Sequence, residues 1–82
     1  MNERIGSIVI ILKERKETAN IINSILSEFS EMILARLGLP FKEKQISIIN
    51  LIVNGDTDKI GAFTGKLGKI PGVTVKSVLA KE

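Results

Sequence analysis

The chain has 82 residues and no cysteine, histidine, tryptophan or tyrosine; it holds only three phenylalanines and two prolines. Each absence removes a class of function. Without Cys there is no disulfide to staple a small fold and no thiolate nucleophile. Without His there is no imidazole for a zinc or nickel site, or for a Ser-His-Asp triad. With Phe29, Phe41 and Phe63 as the only aromatics, the platform on which sheet-based RNA readers stack bases is missing. The longest apolar run, Ile8-Val9-Ile10-Ile11-Leu12, falls far short of the ~20 residues that span a bilayer. The opening Met1-Asn2-Glu3-Arg4 lacks a signal peptide's basic start and small-residue cleavage site. The expectation is a cytoplasmic protein that is not an enzyme and carries neither metal nor cofactor.

What remains is globular in composition: 44% hydrophobic, mostly Ile, Leu and Val, against 26% charged. The net charge of +3 is mild and nowhere concentrated into a block, so it serves solubility. Residues 1–82 read as one domain. A domain this short buries only ~60–65% of the surface its unfolded chain exposes, which makes it marginal alone. Association with further copies is the available remedy, as a dimer or tetramer.

The hydrophobic spacing gives the order of elements. A β-branched run from Arg4 to Lys13 reads as a strand. After the charged connector Lys13–Glu17, the residues Ile21, Ile22, Ile25, Leu26 and Phe29 recur at helical spacing between Thr18 and Ser30. Glu31 to Leu39 reads as a second strand ended by Pro40, with Phe41–Lys44 as a polar hairpin loop. Gln45 to Val53 is a third strand. Asn54-Gly55 reads as a turn, and Asp56 or Thr57 as the cap of a helix with Ile60, Phe63, Leu67 and Ile70 on its inner face. Pro71-Gly72 closes it, and Val73 to Leu79 is the last strand. The order β-α-β-β-α-β is that of a ferredoxin-like α+β sandwich, an antiparallel four-stranded sheet with two helices on one face.

In that topology one face of the sheet is open, and a strand facing water should alternate apolar with polar. The two central strands do not. Ile8, Ile10 and Leu12 are backed by Val9 and Ile11, and Ile49, Leu51 and Val53 by Ile46, Ile48 and Ile52. An open face so apolar needs a cover. Val9, Ile11, Ile46 and Ile48 are therefore the candidates for an interface with another copy of the chain.

These residues also carry a resemblance. Arg36-Leu37-Gly38-Leu39-Pro40, Ile46-Ser47-Ile48-Ile49, Gly55-Asp56-Thr57-Asp58-Lys59-Ile60, Gly65-Lys66-Leu67-Gly68 and Gly72-Val73-Thr74-Val75-Lys76-Ser77 together resemble the iron-only hydrogenase system regulator family. The order of elements is similar to ACT-like domains, including the C-terminal domain of the nickel-responsive transcriptional repressor. The resemblance implies a stand-alone homo-oligomeric regulatory module that binds a small effector or a partner protein at subunit interfaces, with a link to transcriptional regulation. Two departures qualify it. The stretch Ala35–Gln45 lacks the His and Cys with which nickel-binding relatives hold their metal, and the connector Lys13–Glu17 lacks the glycine usual in amino-acid-binding ACT domains.

Candidate contacts for an effector or interface lie in two stretches: Arg36, Gly38 and Pro40, and Asn54, Gly55, Asp56, Thr57 and Lys59. Arg36 reads either as an anion grip or, preferably, as a charge guarding a sheet edge. The acids at 56 and 58 read as helix capping before cation binding or general-base work. Gly61, Gly65 and Gly68 cost a helix ~0.8–1 kcal/mol each relative to Ala, which points first to close approach of another backbone and second to a shallow ligand groove. Two rival functions fit parts of the sequence: nucleic-acid binding through Lys66, Lys69, Lys76, Lys81, Arg15 and Lys16, and an acylphosphatase-like hydrolase using Arg15.

Overall fold

The computed structural model describes residues 3–81, so the leader-free reading of Met1 and Asn2 lies outside the described residues. The elements are β1 (Glu3–Lys13), α1 (Lys16–Glu28), β2 (Ile33–Phe41), β3 (Ile46–Asp56), α2 (Thr57–Gly68) and β4 (Val73–Leu79). Short 3-10 turns, Ser30–Met32 and Lys42–Lys44, flank β2. The sheet is antiparallel in the order β2-β3-β1-β4. The two strands read as apolar on both faces are thus the central pair, and β2 and β4 are edges.

The core lies between the sheet and the two helices. Ile8, Ile10 and Leu12 of β1 and Ile49, Leu51 and Val53 of β3 meet Ile22 and Leu26 of α1 and Ile60, Phe63 and Leu67 of α2. Phe63 is fully buried, and its ring lies 5.0 Å from that of Phe29. Lys66 clamps this seam from outside, its Nζ 2.7 Å from Glu28 Oε2 and 5.5 Å from the Phe29 ring centre.

Several boundaries differ from the sequence reading, each for a physical reason. α1 starts at Lys16 rather than Thr18 and ends at Glu28. β2 runs through Pro40 to Phe41 instead of stopping before the proline. As an edge strand it tolerates proline, whose missing N–H can face away from the ladder. Lys42–Lys44 forms a tight turn closed by Gln45 in the left-handed region, φ 56°. Asn54-Gly55 is not a turn. Pairing continues through Arg4↔Gly55 and Glu3↔Asp56, and the helix starts directly at Thr57. Gly55 serves close approach: a Cβ there would sit 2.9 Å from Met32 Sδ and 3.1 Å from Met32 Cβ. α2 ends at Gly68, short of Ile70. Gly61, Gly65 and Gly68 receive no other backbone from within the described residues. A Cβ at any of them meets nothing within 4 Å among the described residues.

Candidate functional site

Alternation along β2 puts Arg36, Gly38 and Pro40 on the helix side of the sheet, opposite Leu51, Ile49 and Ser47 of β3. They line a cleft of about 270 Å³ between this edge and the first turns of α1, floored by Leu12, Ile22 and Ile49. Two charges stand over that apolar floor. Arg36 Nη2 donates to Asn23 Oδ1 at 3.1 Å, which uses one of five guanidinium donors. Glu14 Oε2 accepts from the Ser47 hydroxyl at 3.0 Å. The cleft therefore offers a planar cation, a carboxylate and a greasy base. Gly38 keeps it open, having no side chain and no neighbour within 4 Å of its Cβ position.

The second group of candidates goes elsewhere. Asn54, Gly55, Asp56 and Lys59 line a cleft of about 330 Å³ with Glu28, Phe29 and Met32, at the other end of β3. Thr57 does not line it. Ser47 and Asn54 are seven residues apart on one strand, roughly 23 Å, so the two stretches form two sites and not one. Asp56 is occupied as the cap of α2: its Oδ1 accepts from the Asp58 N–H at 2.7 Å, as the capping reading expects.

Asn23, Glu14 and Ser47 were not singled out in the sequence. Asn23 and Arg36 are 13 residues apart, Glu14 and Ser47 33 apart, and only the fold joins them. No local pattern marks them. Among the described residues, no group of three or more Asp, Glu, His or Cys side chains is placed to hold a metal ion. None of the described helices is long and apolar enough to cross a membrane.

Register places Val9, Ile11, Ile46 and Ile48 on the open face, with Ile5, Ile52, Leu37, Leu39, Phe41 and Val78 around them. Among the described residues nine large apolar side chains are exposed and seven of them lie on this face, Ile21 and Leu34 being the others. The rival readings fare differently. Lys76, opposite Val9, lies on the open face, whereas Lys66 is tied to Glu28 on the helix side, so those lysines do not make one patch. Phe29 and Phe63 are packed together under the helices, which leaves Phe41 on the β2 edge as the single aromatic of the open sheet face, short of the two or three on which sheet-based readers stack bases. The β1–α1 connection is only Glu14-Arg15, with the Arg15 N–H bonded back to Lys13 O at 2.9 Å, which is too tight for an anion-cradling loop.

A four-stranded antiparallel sheet of this order with both helices on one face has ferredoxin-like topology, and its similarity to solved ACT domains makes the fold ACT-like. Within that class the chain belongs to the TM1266-like family, described as "Iron-only hydrogenase system regulator, putative", whose model matches residues 4–77. It is similar to the uncharacterized protein TM1266 from Thermotoga maritima, at 41% identity over 98% of this chain and 100% of that one, with a TM-score of 0.95. It is also similar to the ACT domain from GTP pyrophosphokinase of Chlorobium tepidum. The crystal structure of that domain gives 25% identity, 94% and 100% coverage and a TM-score of 0.78. Its solution structure gives 26%, 95% and 89%, and 0.75. Among curated proteins none matches.

Proposed function

We propose that this chain is a cytoplasmic, self-assembling regulatory module of its hydrogenase-system family, which takes a small effector or a partner protein beside β2 and transmits its presence through subunit contacts. One observation supports the reading: the sheet face away from the helices is largely apolar, from Leu37 and Leu39 on the β2 edge, 67% and 57% exposed, to Ile52 and Ile11 on the central strands. Fully burying a side chain of this kind contributes ~1.5–3 kcal/mol over leaving it in water. A patch of such residues is a standing drive to associate. The cleft along β2 supports the effector half. Arg36 keeps donors free for a carboxylate or phosphate, and the apolar floor suits a small organic body.

The test has two arms. Sedimentation of the chain at micromolar concentration should show a dimer or tetramer that persists in high salt, because apolar burial is not screened. Ile48→Asp should dissociate it, and a lone subunit throughout would remove the assembly half. Thermal-shift screening against small anionic metabolites should find a ligand that raises the melting temperature by mass action. Arg36→Ala should abolish that rise while leaving the melting temperature of the free protein unchanged. A ligand whose effect ignores Arg36→Ala would remove the cleft from the reading.

A further inference from the structure

The open face is largely apolar, with Ser7, Asn50 and the edge residue Lys76 among its polar members, and the two ends of its central strand β1 carry opposite charges. Along β1 the residues of this face are Glu3, Ile5, Ser7, Val9, Ile11 and Lys13, read from their partners on β3 and β4. Glu3 pairs across the sheet with Asp56, and Lys13 with Ile46. One end of β1 therefore carries the Glu3 carboxylate and the other the Lys13 ammonium, the Asp56 carboxylate beside Glu3 being already bonded to the Asp58 N–H as the cap of α2.

We infer that two copies stack sheet on sheet with their strands antiparallel, β1 over the partner's β1, so that Glu3 of each copy meets the partner's Lys13. This rests on the sheet-face assembly proposed above and adds its orientation. A symmetric pair stacked face to face has its two-fold axis in the plane between the sheets. A diagonal axis crosses the strands near a right angle and separates the charged ends, whereas an axis along or across the strands keeps the sheets aligned and brings those ends together. An axis along the strands sets Glu3 of one copy against Glu3 of the other, and Lys13 against Lys13. An axis across the strands reverses one copy, joins the acidic end to the basic end twice, and leaves the apolar centre covered. Like charges set face to face are the arrangement interfaces avoid.

The area fits a pair of copies. The seven exposed apolar side chains of this face are between 36% and 73% exposed. That amounts to on the order of 600 Å² per copy before the polar rim is counted, against ~800 Å² per partner in a stable complex.

Charge reversal tests the orientation, read as the dissociation constant at low salt. Glu3→Lys and Lys13→Glu should each weaken association on the order of 10-fold, since each sets two like pairs against one another. The double variant Glu3→Lys/Lys13→Glu should return to within about 3-fold of the native chain, because the swap restores both pairs. Both side chains are exposed, so the fold survives either change. The lack of cysteine allows an independent reading. Glu3→Cys protein mixed with Lys13→Cys protein should form mixed disulfide dimers, and neither should cross-link efficiently alone. Homodimer cross-linking of Glu3→Cys, or charge variants that all associate like the native chain, overturns the antiparallel orientation. If Leu37→Asp and Ile48→Asp dissociate the native pair in the same measurements, the sheet-face reading stands while the orientation falls. If neither dissociates it, both fall together.

Discussion

The same substitution, glycine to alanine, should stabilise this protein at two positions and damage it at a third. Gly61 and Gly65 are exposed, lie inside α2 and have no neighbour within 4 Å of a built Cβ. Alanine there gains the helix-propensity difference, ~0.8–1 kcal/mol per site in an exposed helix interior, with no contact to lose. The double variant should therefore be more stable by ~1.5–2 kcal/mol. At ~4–8 °C per kcal/mol for a domain of this length, its melting temperature should rise by roughly 6–16 °C. Gly6 is the opposite case. It faces Leu79 in the β1–β4 ladder, and a Cβ would stand 2.5 Å from the Val78 carbonyl oxygen and 2.5 Å from Leu79 Cδ2. The leucine tip can rotate away but the backbone oxygen cannot, so Gly6→Ala should cost ~1–3 kcal/mol, the usual range for overpacking. Circular dichroism melts of the three proteins at one concentration decide it. A fall in melting temperature for Gly61→Ala/Gly65→Ala would refute the reasoning, and would mean that these glycines receive a backbone from another molecule.

Three further outcomes follow from the packing. Phe63→Ala empties the largest fully buried side chain and unstacks Phe29, so it should cost ~3–5 kcal/mol and leave chemical denaturation with little or no folded baseline. Asp56→Ala removes the acceptor at 2.7 Å from the Asp58 N–H and should lower stability by ~0.5–2 kcal/mol, seen as a lower urea midpoint at unchanged slope. Glu28→Gln loosens the exposed pair with Lys66; it should cost no more than ~1 kcal/mol, a difference that shrinks in 1 M salt.

The fold was legible because its two periods are clean. Ile22 and Leu26 recur at helical spacing and are buried in α1; Ile8, Ile10 and Leu12 alternate and are buried in β1. The same alternation, run one residue out of phase, showed that Val9, Ile11, Ile46 and Ile48 share the other face. Turn chemistry misled at Asn54-Gly55, where a dipeptide that favours turns is held extended by its β1 partners and by Met32 packed against Gly55. It misled again at Pro40, because edge position, which decides whether a proline ends a strand, is a property of the sheet and not of the segment. The candidate site was half legible. Arg36 stands out as a charge in an apolar run, but its hydrogen bond to Asn23 and the Glu14–Ser47 pair facing it exist only once α1 is laid over the sheet.

Where the clefts open follows from the lengths of the elements. β1 and β3 have 11 residues each, roughly 36 Å of strand at ~3.3 Å per residue. α1 has 13 residues and α2 12, roughly 18–20 Å of helix at 1.5 Å per residue. The helical layer thus shields about half the length of the strands beneath it, in a molecule whose longest extent is 41 Å. Beyond the last residue of α1, Glu28, the sheet continues to Asn54 and Asp56, and one cleft lies there. Beside its first turns the sheet continues sideways to β2, where Gly38 and Pro40 stay exposed, and the other lies there. Lengthening α1 by one turn at its C-terminus would roof the first cleft and leave the second untouched. An effector whose thermal shift survives that insertion binds beside Arg36; one whose shift disappears binds over Asn54 and Asp56, and the Arg36 cleft is then the wrong site.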